Sequence, residues 1–140
     1  MASTGGDIEQ TKSVEVKKKL NVLIVDDSAL IRKLHEAIIE KLGGISQTAE
    51  NGEEAVNIHR NGDASFDLIL MDKQMPKMDG VSATKKLREM KVTSMIVGVT
   101  TLAADEEEYK AFMDAGLDHC FEKPLSKDKL EPLINKLMDA

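Results

Sequence analysis

The sequence predicts an α/β domain, a doubly wound five-stranded parallel sheet with helices on both faces. Five short apolar runs alternate along the chain with five longer segments in which apolar residues recur every three or four positions. Strands and helices that alternate in this way favour a parallel sheet, and right-handed crossovers then place helices on both of its faces. The first run, residues 20–25, is apolar except at Asn21, as expected of a strand that is buried on both sides.

The elements follow in a regular order. Strands are predicted at residues 20–25, 45–49, 67–71, 95–99 and 118–121, and the second, being weakly apolar, is expected at an edge. Helices are predicted at residues 29–42, 51–61, 81–90, 104–115 and 127–138. Gly43 ends the first helix, and Asn51 caps the second. The acidic run 105–108 suits the first turn of the fourth helix, where the helix dipole favours negative charge.

Size and composition exclude several classes of protein. A chain of 140 residues forms one domain, and we expect a flexible arm at residues 1–18 followed by a monomeric globular domain at 19–140. The net charge is −6 and no basic stripe is present, which argues against a nucleic-acid partner. No apolar run reaches the roughly 20 residues of a membrane span. One cysteine and no signal-peptide core favour a cytoplasmic location, with free access to a nucleus.

Polar residues gather at the predicted strand ends. Asp26 and Asp27 follow the first strand, Asp72 the third, Thr100 the fourth and Lys123 the fifth. The carboxyl ends of parallel strands share one edge of the sheet, where open α/β folds place their sites. We therefore expect three carboxylates, a hydroxyl and an ammonium in one pocket.

This combination suits phosphoryl transfer. Three crowded carboxylates repel one another unless a cation compensates them, and ligands that are all oxygen suit Mg²⁺. Asp72 can attack phosphorus to form an acyl phosphate, while Lys123 and Mg²⁺ neutralise charge on the phosphoryl oxygens and Thr100 donates a hydrogen bond to one of them.

Taken singly, these residues have simpler interpretations. Asp26 or Asp27 would be a helix cap, Lys123 a surface lysine and Thr100 a turn residue. Five complementary groups at the ends of four strands favour the functional interpretation. A dehalogenase-like hydrolase is rejected because the second acid it needs is replaced by Gln74. A P-loop enzyme is excluded because no G-x-x-x-x-G-K-[ST] segment exists. A binding module that has lost phosphorylation is disfavoured because all five groups are intact.

The same residues lie in segments that resemble a known family. VLIVDDSALIR, NGEEAV, DLILMDKQMPKMDG, VGVTT and FEKPL together resemble the receiver domains of response regulators in two-component phosphorelays. The match runs from Leu20 to the end of the chain and is most like plant type-C response regulators, which lack an output domain and which the resemblance links to cytokinin signalling. It implies the flavodoxin-like receiver fold, with strand order 2-1-3-4-5.

The resemblance also implies residue roles. Asp72 would be the phosphoacceptor. Asp27 would bind Mg²⁺ directly, Asp26 would bind it through water, and the backbone carbonyl of Gln74 would complete the protein ligands. Thr100 would be the switch hydroxyl, and Lys123 would contact the phosphoryl group.

Two positions depart from the family. Cys120 replaces the usual Tyr or Phe of the switch, and Thr101 replaces a smaller residue that follows the switch threonine. Gln74 and Leu102 occupy the positions that tune the lifetime of the aspartyl phosphate, and we hypothesise that Gln74 shortens that lifetime by orienting water.

The implied partner is a histidine-containing phosphotransfer protein, with a hybrid histidine kinase upstream. The first helix is the expected docking face, formed by Ala29, Leu30 and Lys33, with Leu125 beside it.

A second function stays open: a phosphohistidine phosphatase that hydrolyses the phosphate on Asp72 rapidly. Cys120 and the methionines are expected to fill the core, although Met75 and Met78, on the loop after Asp72, could instead contact a partner. Structural or solvated roles are expected for His35, His59 and His119, whose spacing does not fit a zinc site.

Overall fold

The five predicted strands form one parallel sheet in the computed structural model, which describes residues 19–101 and 105–139. The strand order is β2-β1-β3-β4-β5, which confirms the expected topology. The strands are β1 (Asn21–Val25), β2 (Ile45–Ala49), β3 (Leu68–Asp72), β4 (Met95–Thr100) and β5 (His119–Glu122). β2 lies at an edge, as predicted. The predicted arm at 1–18 and Leu102 lie outside the described residues.

Each strand is followed by a helix whose first turn is capped by a side chain. The helices are α1 (Ala29–Lys41), α2 (Gly52–His59), α3 (Gly80–Glu89), α4 (Glu106–Asp114) and α5 (Lys127–Met138). Asn51 caps α2 as predicted, because its Oδ1 accepts the Glu54 N–H at 2.9 Å. α1 is capped by Ser28 and not by Asp26 or Asp27, so the structure rules out capping as the simpler interpretation of those two acids.

The core lies in two layers, one on each face of the sheet. Side chains alternate along the strands, so that Leu23 and Val25 pack beneath α2, α3 and α4, whereas Val22 and Ile24 pack beneath α1 and α5. Phe112 is fully buried in the first layer. The six methionines at 71, 75, 78, 90, 95 and 113 lie in or against these layers, as expected of core residues. Among the described residues, no helix is long and apolar enough to cross a membrane.

α1 buries a different side from the one that its leucines suggest. His35 and Ile39 are buried, while Leu30 and Leu34 are 68% and 51% exposed. The helix carries apolar residues around more than half of its circumference, so spacing predicts the helix but not the face that meets the sheet. An exposed leucine pair therefore remains at the amino-terminal half of α1.

Arg88 joins the α3–β4 loop to the α4–β5 loop at the amino-terminal ends of β4 and β5. Its guanidinium donates hydrogen bonds to the carbonyls of Val92, Ser94 and Gly116 at 2.8 to 3.0 Å. It also forms an ion pair with Asp118 at 3.0 Å. Gly116, at φ +127°, leaves room for the Arg88 side chain, since a Cβ there would lie 2.6 Å from Arg88 Cγ. Arg88 therefore anchors the edge of the sheet that is opposite the strand ends bearing the polar residues.

We expect Arg88→Ala to lower the free energy of unfolding by about 2–4 kcal/mol, because three carbonyls and Asp118 lose a shared donor. Urea unfolding measures this change. Lys86→Ala is the matched control on the same helix. Its 4.0 Å pair with Glu89 is exposed, so a change below about 0.5 kcal/mol is expected. Equal losses in the two variants would contradict this role for Arg88.

Candidate functional site

Strand register brings the predicted site residues to one edge of the sheet. Val25 pairs with Met71, so Asp26 emerges beside Asp72. Asp72 itself pairs with Val99, which places Thr100 one residue farther along the neighbouring strand. The backbone N–H of Lys123 donates to the Thr100 carbonyl at 2.7 Å and continues the same edge. Residues from four strands thus meet because a parallel sheet aligns its carboxyl ends.

Three carboxylates form a compact cluster at this edge. One oxygen from each of Asp26, Asp27 and Asp72 lies within 4.8 Å of the others. Asp26 and Asp72 are 1% and 7% exposed, whereas Asp27 faces solvent. A set of oxygen donors with one open side fits a hard divalent cation such as Mg²⁺, which keeps part of its water shell.

Lys123 already bridges the two buried acids. Its Nζ lies 3.0 Å from Asp26 Oδ2 and 3.0 Å from Asp72 Oδ1. Burial lowers the pKa of Lys123, but the hydrogen bonds to Asp26 and Asp72 and the negative charges of these acids together outweigh burial and raise the pKa above its ordinary value. The ammonium therefore stays charged and holds both carboxylates in place.

The surroundings of Asp72 disfavour its charged form. Burial, followed by the nearby charge of Asp26, raises the pKa of Asp72 to about 6. The hydrogen bond from Lys123 opposes these effects without cancelling them. An added cation would favour the ionised form of this carboxyl, which is the form that acts as a nucleophile.

Two glycines shape the loop that follows Asp72. The Gly80 N–H donates to the Lys73 carbonyl at 2.7 Å, and a Cβ at Gly80 would overlap the backbone carbonyl oxygen of Asp72. Gly52 donates its N–H to the Met78 carbonyl at 3.0 Å, and a Cβ at Gly52 would lie 2.5 Å from the Met78 carbonyl oxygen. The starts of α2 and α3 thus pack directly on this loop, and Gln74 is exposed within it.

Thr100 and Cys120, the two positions of the expected switch, have other contacts in the structure. The Thr100 hydroxyl donates to the Thr101 carbonyl at 3.2 Å, so this hydroxyl must rotate before it can donate to a group on Asp72. Cys120 is half-buried against the layer that contains Phe112, and burial raises the pKa of its thiol. Cys120 is therefore a packing residue, as predicted.

The three histidines lie in structural settings. His35 is buried, and burial lowers the pKa of its ring. His59 is buried with Nδ1 2.8 Å from the Ala55 carbonyl, and His119 stacks on Phe121. Among the described residues, the acidic cluster is the group placed to hold a metal ion, and it contains no histidine.

Sequence reasoning missed two basic residues beside the acids. Arg32 Nη1 donates to the Asp26 backbone carbonyl at 2.8 Å. Lys73 Nζ forms a 2.7 Å ion pair with Glu108, which joins the residue after Asp72 to α4. The sequence feature that could have indicated this contact is the position of Arg32 one helical turn after Ser28, within reach of the β1–α1 loop. No pattern along the chain indicated the Lys73–Glu108 pair, whose members are 35 residues apart.

Comparison with known proteins identifies the family. A family model described as the response regulator receiver domain matches residues 22–135. The chain belongs to this family. It is 73% identical over 139 residues to the two-component response regulator ARR22 of Arabidopsis thaliana, covering 99% of this chain and 97% of that protein. It is 44% identical over 124 residues to ORR41 of Oryza sativa subsp. japonica, covering 86% and 95%. The expected resemblance to plant type-C response regulators is confirmed.

Solved structures agree on the fold of this receiver domain. The Francisella response regulator 1452 receiver domain superposes with a TM-score of 0.75 at 27% identity, covering 86% of this chain and 98% of that one. A chain of the CheX-CheY-BeF3-Mg complex from Borrelia burgdorferi gives a TM-score of 0.72 at 31% identity, covering 86% and 87%. The receiver fold is therefore common to this chain and to distant bacterial proteins.

Proposed function

We propose that this receiver domain is a phosphorelay response regulator that accepts a phosphoryl group on Asp72 from a histidine-containing phosphotransfer protein. The observation that carries the proposal is the convergence of Asp26, Asp27, Asp72 and Lys123 at one edge of the sheet. The similarity to two-component response regulators supports it.

The transfer step follows from the chemistry of Asp72. A carboxylate oxygen attacks the phosphorus of phosphohistidine, the new O–P bond forms, and the P–N bond breaks. The electron pair of the broken bond leaves with the imidazole nitrogen, and the ring departs as neutral imidazole after taking a proton from solvent. Lys123 stands within 3.0 Å of the attacking group and stabilises the negative charge that gathers on the phosphoryl oxygens.

The metal site of the proposal uses the same acids. Asp27 and Asp72 would bind Mg²⁺ directly, Asp26 would bind it through water, and the backbone carbonyl of Gln74 would add a further oxygen. When bound, Mg²⁺ neutralises charge on the phosphoryl oxygens. The Borrelia complex contains both Mg²⁺ and beryllium fluoride, which supports a metal site in this fold.

We expect Asp72→Asn to abolish label transfer from a ³²P-labelled phosphotransfer protein, because the amide cannot act as the nucleophile. Chelating Mg²⁺ with EDTA should produce the same loss in the wild type. Asp79→Asn is the matched control, since Asp79 lies in the same loop and its replacement can still cap α3 through the Ser82 N–H. Label that remains on Asp72→Asn would overturn the proposed function.

Partner docking in the proposal uses the exposed start of α1. Ala29, Leu30 and Lys33 are exposed there beside the acidic cluster, and Leu34 extends the apolar surface by one turn. Leu125, which the sequence placed beside this face, is only 7% exposed because it packs into the layer under α1 and α5. Leu30 therefore offers the largest apolar contact.

We expect Leu30→Ala to slow transfer from a subsaturating phosphotransfer protein about tenfold, with little change at saturation, because it removes an apolar anchor. Rates measured over a range of donor concentrations separate these two regimes. Ile45→Ala is the control, because Ile45 is 50% exposed but lies at the opposite end of the strands. Equal rates for Leu30→Ala and wild type would argue against docking on α1.

The lifetime of the aspartyl phosphate decides between a signalling switch and a phosphohistidine phosphatase. Gln74 is exposed two residues after Asp72, where its amide can orient a water molecule towards the phosphorus. Label that persists on the chain indicates a switch, whereas rapid release of inorganic phosphate indicates a phosphatase.

We expect Gln74→Ala to lengthen the half-life of phospho-Asp72 about tenfold, because the orienting amide is lost. Decay of ³²P label after removal of the donor measures this half-life. Gln47→Ala, a change at an exposed glutamine on β2, should leave it unchanged. An unchanged decay rate in Gln74→Ala would contradict the role assigned to Gln74.

A further inference from the structure

Each polar atom of Asp26 forms a hydrogen bond with a different residue. Its backbone N–H donates to the Ala49 carbonyl at 3.1 Å, and its carbonyl accepts from Arg32 Nη1 at 2.8 Å. Its Oδ1 accepts the Ser28 N–H at 2.9 Å, and its Oδ2 accepts from Lys123 at 3.0 Å. The β1–α1 loop is thus fixed by β2, by α1 and by the β5–α5 loop at once.

Arg32 makes the one contact in this set that fixes the peptide group between the two acids. The Asp26 carbonyl and the Asp27 N–H belong to a single planar unit, so a bond to that carbonyl sets the orientation of the unit. Asp27 is exposed, so the direction of its carboxylate depends on the backbone that carries it more than on packing. The Arg32 side chain is only 17% exposed and leaves α1 one turn after Ser28, which is itself held as the helix cap.

We propose that Arg32 is a positioning residue for the metal site, holding the Asp26–Asp27 peptide so that the Asp27 carboxylate faces Asp72. Arg32 acts through the loop and is not itself a metal ligand. The inference rests on the proposed function, since it takes the acidic cluster to be a Mg²⁺ site. Residues that orient metal ligands in this way commonly change metal affinity by about 10- to 100-fold when they are replaced.

The charge and the geometry of Arg32 can be separated by substitution. Arg32→Gln removes both the charge and the long donor, whereas Arg32→Lys keeps the charge but replaces the planar fork with a single ammonium. The 3.9 Å approach of Arg32 Nη2 to Glu50 is weak because Glu50 is 67% exposed, so its loss contributes little to either variant.

The test is a calorimetric Mg²⁺ titration of the full 140-residue chain at constant ionic strength, with melting temperatures recorded with and without Mg²⁺. Arg32→Gln is expected to raise the Kd for Mg²⁺ roughly tenfold, with a smaller rise for Arg32→Lys. The increase in melting temperature on adding Mg²⁺ should shrink in the same order, since that increase follows the affinity. The control, Arg60→Gln, removes an equal charge at an exposed position on the carboxyl-terminal side of α2 and should stay within about twofold of wild type.

Three results would overturn the inference. A lower melting temperature in Arg32→Gln with an unchanged Kd would show a purely structural residue. Equal losses of affinity in Arg32→Gln and Arg60→Gln would show an effect of net charge alone. A wild-type chain without Mg²⁺ binding would remove the metal from the proposed function and would remove this inference with it. The first two results leave the proposed function intact.

Discussion

The contact on which the site depends is the Lys123 ammonium between two buried carboxylates. Asp26 and Asp72 would repel one another at this edge of the sheet, and burial raises the pKa of Asp72. One cation 3.0 Å from each carboxylate lets both remain close together. Such a buried arrangement adds little net stability compared with apolar packing.

The two ends of the sheet differ in the polar contacts that they make. At the amino-terminal ends of β4 and β5, Arg88 satisfies three carbonyls and Asp118 and so fixes loops that carry no reactive group. At the carboxyl ends, the acids are concentrated in a partly exposed cluster. Gly52 and Gly80 let two helix starts close tightly around the loop after Asp72. The rigid end and the close-packed loop together allow an unfavourable concentration of charge to persist in a small domain.

The fold and the convergence of the acids could be predicted from the sequence. Strands and helices alternate along the chain, which gives a parallel sheet, and parallel strands place their carboxyl ends at one edge. Because parallel strands share an edge whatever their side-chain conformations, Asp26, Asp72 and Lys123 could be grouped from the sequence alone. The buried face of α1 could not be predicted, since apolar residues such as Leu34 lie around most of that helix. The orientation of the Thr100 hydroxyl could not be predicted either, because the Thr101 carbonyl competes for its hydrogen bond.

Arg32 and Lys73 were missed for another physical reason. Long basic side chains reach their partners through several rotatable bonds, so their positions along the chain do not reveal what they contact. Lys123 has the same freedom and was identified only because it follows a strand.

The surroundings of the three acids also distinguish them from one another. Asp26 already has a partner at each of its polar atoms, and a new covalent bond would disturb contacts to β2, α1 and Lys123. Asp27 faces water, where its carboxylate is well solvated and less reactive towards phosphorus. Asp72 is buried, its ionised form is disfavoured, and Lys123 stands beside it ready to meet additional negative charge. A phosphoryl group on Asp72 would bring more anionic oxygens to that ammonium, so the environment suits the product as well as the nucleophile. These differences in solvation and bonding support Asp72 as the acceptor within the cluster, independently of any likeness to other proteins.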